Sequence, residues 1–196
     1  MNKALYVTTH NNNIATLTLN IPDKEMNILS SSLVEELVKA VTALQENTAL
    51  KALIIKSGKP IGFCDALDID EMMEISYSDN LEENILAKQE IVKALRGFHC
   101  PTIALVNGKC YGEGLELVLA CSHRIATTAL STSFGFPALA FGVPPYLGGI
   151  HLLSSIISLD DTLSLITSSQ CVDVQEALRM SLVDGVISEE EYASQT

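Results

Sequence analysis

The stretch Thr102-Ile-Ala-Leu-Val-Asn107-Gly108-Lys-Cys-Tyr-Gly112-Glu-Gly114-Leu-Glu116-Leu117 reads as a buried strand, a glycine-punctuated loop and the first turn of a helix. Thr102 to Val106 follows Pro101 as a short β-branched and aliphatic run, the pattern of a strand covered on both faces. Glycine lets a backbone approach a ligand closely, and the N–H groups at a helix start point outward with partial positive charge. Two chemistries use that device: cradling the diphosphate of a dinucleotide, or stabilising an oxyanion. The dinucleotide option lacks its third glycine, because Leu117 stands there, and more than a hundred residues precede the strand.

Outward from this stretch, strands and helices alternate, which predicts an α/β chain. Leu5 to Thr9 and Ile14 to Leu19 are β-rich runs flanking the turn residues His10-Asn11-Asn12-Asn13, so a hairpin is predicted. Ser30 to Ser32 offers a cap to a helix carrying Leu33, Val34, Leu37, Val38, Val41 and Leu44 at helical spacing. Further helices are predicted from Asp68, over 81–95, from Leu115, and continuously over about 150–166, with strands at 52–55 and 124–126. Gly108, Gly112 and Gly114 are read as punctuating one loop.

Upstream, Gly62-Phe63-Cys64-Asp65-Ala66-Leu67-Asp68-Ile69-Asp70-Glu71-Met72 also runs from a strand end into a helix start. Asp68 has the character of an N-cap, which would leave the N–H groups around Ala66 and Leu67 open to a ligand. Two such helix starts offer two donors to one carbonyl oxygen, which is what a thioester enolate needs.

Composition bounds the partners. The chain has 196 residues, 47% of them hydrophobic and 18% charged, a balance suited to one folded domain with a full core. Lys and Arg total 12 against 24 Asp and Glu, a net charge of −12, which argues against nucleic acid or an anionic membrane as the main partner. The five cysteines form no C-x-x-C pair and read as reduced thiols. No apolar run reaches the ~20 residues of a membrane span, and the first residues resemble neither a signal nor a transit peptide. These features predict a cytoplasmic protein. No His makes metal-ligand spacing with another His or Cys, so no metal is expected.

Four ordered segments resemble the enoyl-CoA hydratase/isomerase (crotonase) family. Phe63 to Met72 is similar to F-x-x-G-A-D-(I/L)-x-E-M, and Pro101 to Ala126 to P-x-I-A-x-V-x-G-x-x-x-G-G-G-x-E-L-x-L-A-C-D-x-R-I-A. Leu17 to Pro22 with Asn27 to Leu29, and Phe134 to Pro137 with Gly142, Pro144 and Gly148-Gly149, match the flanking motifs. Together they span roughly residues 5–188. The resemblance implies an α/β, crotonase-like spiral of ββα units over 1–196, binding acyl-CoA thioesters as substrate with no separate cofactor, and assembling as a trimer or a hexamer. It also implies oxyanion-hole donors at the N–H groups of Leu67 and Gly114, with Glu116 as a catalytic glutamate. Contacts to the coenzyme A moiety are implied at Lys24, Ala66 and Asp68, with Lys56 and Lys59 as further basic candidates.

The chain also departs from the pattern. The family's second catalytic glutamate falls at Ala138, whose methyl can neither hold water nor move a proton. Glu113 replaces the middle glycine of the triplet, and reads as a carboxylate near the site or as a first-turn residue favoured by the helix dipole. Ile21 stands for an arginine, and Ala66-Leu67 for Gly-Ala. The covering helices that family members carry at the C-terminus are expected to be absent or shortened. The resulting expectation is an enoyl-CoA hydratase/isomerase-like lyase or isomerase of fatty acid metabolism with one proton-handling glutamate. The alternative is a non-catalytic acyl-CoA-binding or scaffolding relative.

Overall fold

The computed structural model describes residues 3–65 and 81–194. It opens with the hairpin of β1 (Leu5–Thr9) and β2 (Ile14–Leu19), paired antiparallel. His10 N–H donates to the Ile14 carbonyl at 2.8 Å, and Asn13 takes the left-handed conformation (φ 63°) that asparagine tolerates in turns. Helix α1 (Ser31–Gln45) starts where Ser30 accepts a hydrogen bond from Leu33 N–H. It buries Leu33, Val34, Leu37, Val41 and Leu44, the stripe that three- and four-residue spacing dictates.

The following elements are β3 (Ala52–Ser57), β4 (Gly62–Cys64), α2 (Leu81–Arg96), β5 (Thr102–Val106), β6 (Lys109–Tyr111), α3 (Glu113–Ala120), β7 (His123–Thr127) and β8 (Ser133–Gly135). A 3₁₀ turn (Pro137–Phe141), α4 (Gly149–Ile156), α5 (Leu159–Ser168), β9 (Cys171–Asp173), α6 (Val174–Arg179), β10 (Gly185–Ile187) and α7 (Glu189–Ser194) complete the described residues. Their strands form a six-stranded sheet, β1-β2-β3-β5-β7-β10, and a four-stranded sheet, β4-β6-β8-β9. From β2 to β10 the first is parallel; in the second only β8–β9 is antiparallel.

At β3-β4, β5-β6 and β7-β8 the chain lays a strand in the large sheet, bends, and lays a three-residue strand in the small one. β5-β6-α3 is one complete unit of this ββα spiral. The bends stack on one another. At Gly108 (φ +61°) a Cβ would meet the Ile61 carbonyl oxygen and lie 2.8 Å from the Gly62 Cα. Gly108 N–H donates to Thr132 Oγ1 at 3.1 Å, and its carbonyl accepts from Ser133 N–H at 3.3 Å. Three corners, around residues 61, 108 and 132, are thus tied in a column.

Two buried polar side chains lock the spiral. Asn27 spreads its amide hydrogens over Leu19 O, Ser57 Oγ and Phe63 O at 2.9–3.1 Å, while its oxygen accepts from Ile21 N–H. Arg124 donates to the carbonyls of Leu182 and Cys121 and to Asp184 Oδ1, joining β7 to the segment before β10.

The hairpin, α1 and the large-sheet strands lie where the sequence places them, and the spiral of ββα units is the observed fold. Residues 108–114, read as a loop, contain β6, and α3 begins two residues earlier than predicted. The single helix predicted over about 150–166 is two: Ile157 turns extended, and Ser158 caps α5 by accepting from Asp161 N–H at 3.1 Å. The helix predicted from Asp68 lies outside the described residues.

Because Gly108 combines a left-handed backbone with a corner that has no room for a methyl, Gly108→Ala is expected to cost about 3 kcal/mol. Urea denaturation measures it; a loss under about 0.5 kcal/mol would show that the corners are not tightly stacked.

Candidate active site

Helix α3 starts directly from the end of β6. Gly112 N–H donates to Gly135 O at 3.0 Å, which hooks the helix start onto β8, and Glu116 N–H makes the first intrahelical bond to Gly112 O. The N–H groups of Glu113, Gly114 and Leu115 consequently have no intrahelical acceptor. Gly114 is pressed against the end of β4: a Cβ there would lie 2.6 Å from the Cys64 Cβ. The start of α3 is thus packed against the chain immediately before Ala66, Leu67 and Asp68, three sequence-predicted site residues that fall outside the described residues.

Glu116 is 1% exposed at the end of the first turn of α3. Its Oε1 accepts from Leu147 N–H at 2.8 Å and from Gly149 N–H at 2.7 Å, the latter in the first turn of α4. Gly149 must be glycine, because a Cβ there would sit 2.7 Å from that same oxygen. Burial pushes the carboxyl up to about 8; the two N–H bonds pull the other way, and the nearby Glu113 charge adds to the rise. Near neutral pH Glu116 is therefore mainly a carboxylic acid. Since Oε1 is engaged by two donors, Oε2 is the oxygen placed to carry the proton.

Glu116 lines a cavity of about 10 Å³ with Gly112, Glu113, Phe136, Ala138 and Tyr146. That volume suits about one water molecule. The structure thus brings Ala138 and Glu116 to one void. It also brings Glu113 there. Its side chain is not a solvated first-turn carboxylate: Glu113 is 3% exposed and paired with Lys88 of α2, Nζ lying 3.0 Å from Oε1 and 3.4 Å from Oε2.

The basic candidates for a nucleotide divide. The Lys24 side chain is exposed in the loop after β2. Lys59 directs its ammonium to the carbonyls of Ile21 and, at 2.6 Å, Lys24, so it braces that loop. Lys56 is buried in β3. A larger cavity of about 550 Å³ lies at the carboxyl ends of β3, β5 and β7 against α7; its lining, which includes Ser57, Asn107 and Tyr192, shares no residue with the void at Glu116. The Tyr192 hydroxyl donates toward Ser57 O and Asn107 Oδ1 at 2.9 and 3.0 Å, fastening α7 to that edge. Cys64, Cys110 and Cys121 are buried, and burial raises each thiol, leaving them inert; Cys171 is exposed.

Leu147, Gly149 and Lys88 were not singled out by sequence reasoning as partners of the site. The Gly148-Gly149 pair was a usable signal, since consecutive glycines before an apolar helix mark a close backbone approach. Lys88 gave none, because a lysine in an amphipathic helix reads as solvated.

The sequence profile of the enoyl-CoA hydratase/isomerase family matches residues 9–196, and the chain belongs to that family. It is 29% identical over 189 residues to the fatty acid oxidation complex subunit alpha of Shewanella loihica, covering 96% of this chain and 27% of that one. The chain thus spans about a quarter of the length of that curated relative. Among solved structures, an enoyl-CoA hydratase/carnithine racemase from Magnetospirillum magneticum superposes with a TM-score of 0.90 at 22% identity, covering all of this chain and 72% of that one. An enoyl-CoA hydratase from Bacillus anthracis gives 0.88 at 26% identity, covering 98% and 74%.

The raised Glu116 carboxyl sets a pH dependence of stability. The unfolded carboxyl ionises near its ordinary value of 4.5, whereas the folded one keeps its proton to about 8. Between those limits the folded state binds the extra proton, so its stability falls as pH rises and levels off above about 8. Glu116→Gln is neutral throughout and lacks this decline. The melting temperature of the variant minus that of the wild type is expected to climb from pH 5 to pH 8; a constant difference would refute the buried acid.

Proposed function

We propose that the chain acts on acyl-CoA thioesters as an enoyl-CoA hydratase/isomerase-like enzyme, holding a thioester enolate at the start of α3 while Glu116 handles the α-proton. The observation that carries this reading is Glu116 itself: a buried carboxyl clamped by two backbone N–H groups, with proton affinity poised near neutrality, at a void lined also by the start of its helix.

The mechanism follows from charge. Removing a proton at the carbon next to a thioester moves electron density onto the carbonyl oxygen, and delivering one to the enolate carbon returns it. Donors at the α3 N-terminus, with the N–H of Gly114 the one assigned here and that of Leu67 its partner from the other loop, stabilise that oxygen more in the transition state than in the ground state. The helix dipole adds in the same direction. Glu116 closes the first turn of the same helix, so donor and proton carrier are fixed by one rigid element. In its protonated form it gives a proton to the α-carbon; once ionised it removes one. Lys24, Ala66 and Asp68 are assigned to the coenzyme A moiety, where local donors must outweigh a net charge of −12. The protein is proposed to act in the cytoplasm as a homo-oligomer.

A second reading, an acyl-CoA-binding or scaffolding role without turnover, draws on the methyl of Ala138 at the cavity wall and on the small size of the void. Calorimetry with a CoA thioester together with turnover measurements separates the two.

The deciding measurement is turnover of a panel of enoyl- and 3-hydroxyacyl-CoA substrates by the wild type and by Glu116→Gln. The expected loss in kcat is about 10²–10⁴-fold, the range for one general acid-base group. Where proton removal limits the rate, kcat/KM is expected to rise about tenfold per pH unit up to about pH 8 and then level off. Equal activity of the two proteins would remove Glu116 from the mechanism, and binding without turnover would favour the second reading.

A further inference from the structure

The cavity beside Glu116 has a second carboxylate on its wall. Glu113 and Glu116 are three residues apart on α3, which places them on one helix face. Both line the same water-sized void, and Ala138 lines it too. Neither carboxyl is at the surface: they are 3% and 1% exposed.

Their surroundings differ in kind. Glu113 has an ammonium against both of its oxygens, Lys88 Nζ at 3.0 and 3.4 Å, in a pair that is itself buried. It also occupies the first turn of α3, where the helix dipole favours a negative charge. Glu116 instead has two amide hydrogens on one oxygen, and the apolar residues Phe136, Ala138, Val143, Pro144 and Pro145 line the void it shares with Glu113. Two carboxyl groups sharing one void, one beside a cation and one desolvated, are driven to opposite protonation states.

We propose that Glu113, held by Lys88, is the water-activating base of this site and works with Glu116 as the acid. The proposal rests on the functional reading above and deepens it: the substrate is a 2-enoyl thioester and the reaction is addition of water across its double bond. The water oxygen forms a bond to the β-carbon while one of its protons passes to the Glu113 carboxylate. The electron pair of the double bond moves onto the thioester carbonyl, giving the enolate held at the α3 start. The enolate collapses as Glu116 gives its proton to the α-carbon. One water is added, nothing is oxidised or reduced, and transfer of the proton from Glu113 back to Glu116 resets the pair. Lys88 is a positioning residue: it fixes the orientation of the Glu113 carboxylate at the wall of the void.

The test compares two rates on the same protein. Exchange of the α-proton of an acyl-CoA with deuterium oxide, read by mass spectrometry, needs the enolate and Glu116 only. Hydration of a 2-enoyl-CoA, read by loss of the conjugated thioester absorbance, needs Glu113 as well. Glu113→Gln is expected to lower the ratio of hydration to exchange at least about 100-fold through kcat, whereas Glu116→Gln lowers both rates together. Because an uncompensated buried lysine destabilises the fold, the paired Lys88→Met, Glu113→Met variant is measured alongside, and it is expected to show the same drop in ratio. A wild type that exchanges but does not hydrate would overturn the role of Glu113 and leave the functional reading standing. So would an unchanged ratio in both Glu113 variants. Absence of exchange and hydration in a folded wild type would overturn both.

Discussion

At successive strand ends the chain turns out of the large sheet into the small one, and the corners are stacked with no room for a side chain between them. Gly108 sits on the backbone of Ile61 and Gly62, and the next corner is bonded to it through Thr132 and Ser133. Van der Waals contact at this distance fixes the vertical register of β4, β6 and β8 to within a fraction of a residue spacing. Everything at the site inherits that register. Gly112 can reach Gly135, α3 can start where it does, and Gly114 can touch Cys64, only because the short strands are level.

A second consequence is the low dielectric around α3. All eight residues of this helix are buried, including two glutamates. Buried carboxyl groups are costly without partners, and the molecule meets the cost in two different ways. Glu116 accepts backbone N–H groups from the chain entering α4; Glu113 takes an ammonium from α2. The helices that pack on α3 thus supply chemistry as well as apolar contact, and the net acidity of the chain says little about the field inside. Asn27 and Arg124 follow the same rule at sites without chemistry: their buried N–H groups donate to backbone carbonyls, to Ser57 and to Asp184.

The last described helix illustrates how the sheet edge is closed. Ser188 and Glu191 cap α7 reciprocally, Ser188 Oγ accepting from Glu191 N–H and Glu191 Oε2 from Ser188 N–H. The hydrogen bond at the N-terminus holds the Glu191 carboxyl below its ordinary value. Burial lifts the Tyr192 hydroxyl to about 12, so it stays a donor to Ser57 and Asn107 at all ordinary pH values. Glu191, one of three consecutive glutamates, is therefore structural.

Local chemistry in the sequence was enough for the elements that form on their own terms. The hairpin is written in β-branched alternation around His10 to Asn13, α1 in its serine cap and apolar spacing, and β5 in five apolar or β-branched residues after a proline. Four ordered motifs carried the spiral fold, Glu116 and the departure at Ala138. What the sequence could not carry were three-residue strands, which are too short for a period to show and exist only because a neighbouring strand pairs with them. Nor could it reveal that Glu113 faces inward to Lys88, or that the amides of Leu147 and Gly149 close on Glu116. Those pairings join residues 25 to 33 positions apart, and tertiary packing alone decides them, because a buried charge selects its partner by distance in space and not along the chain.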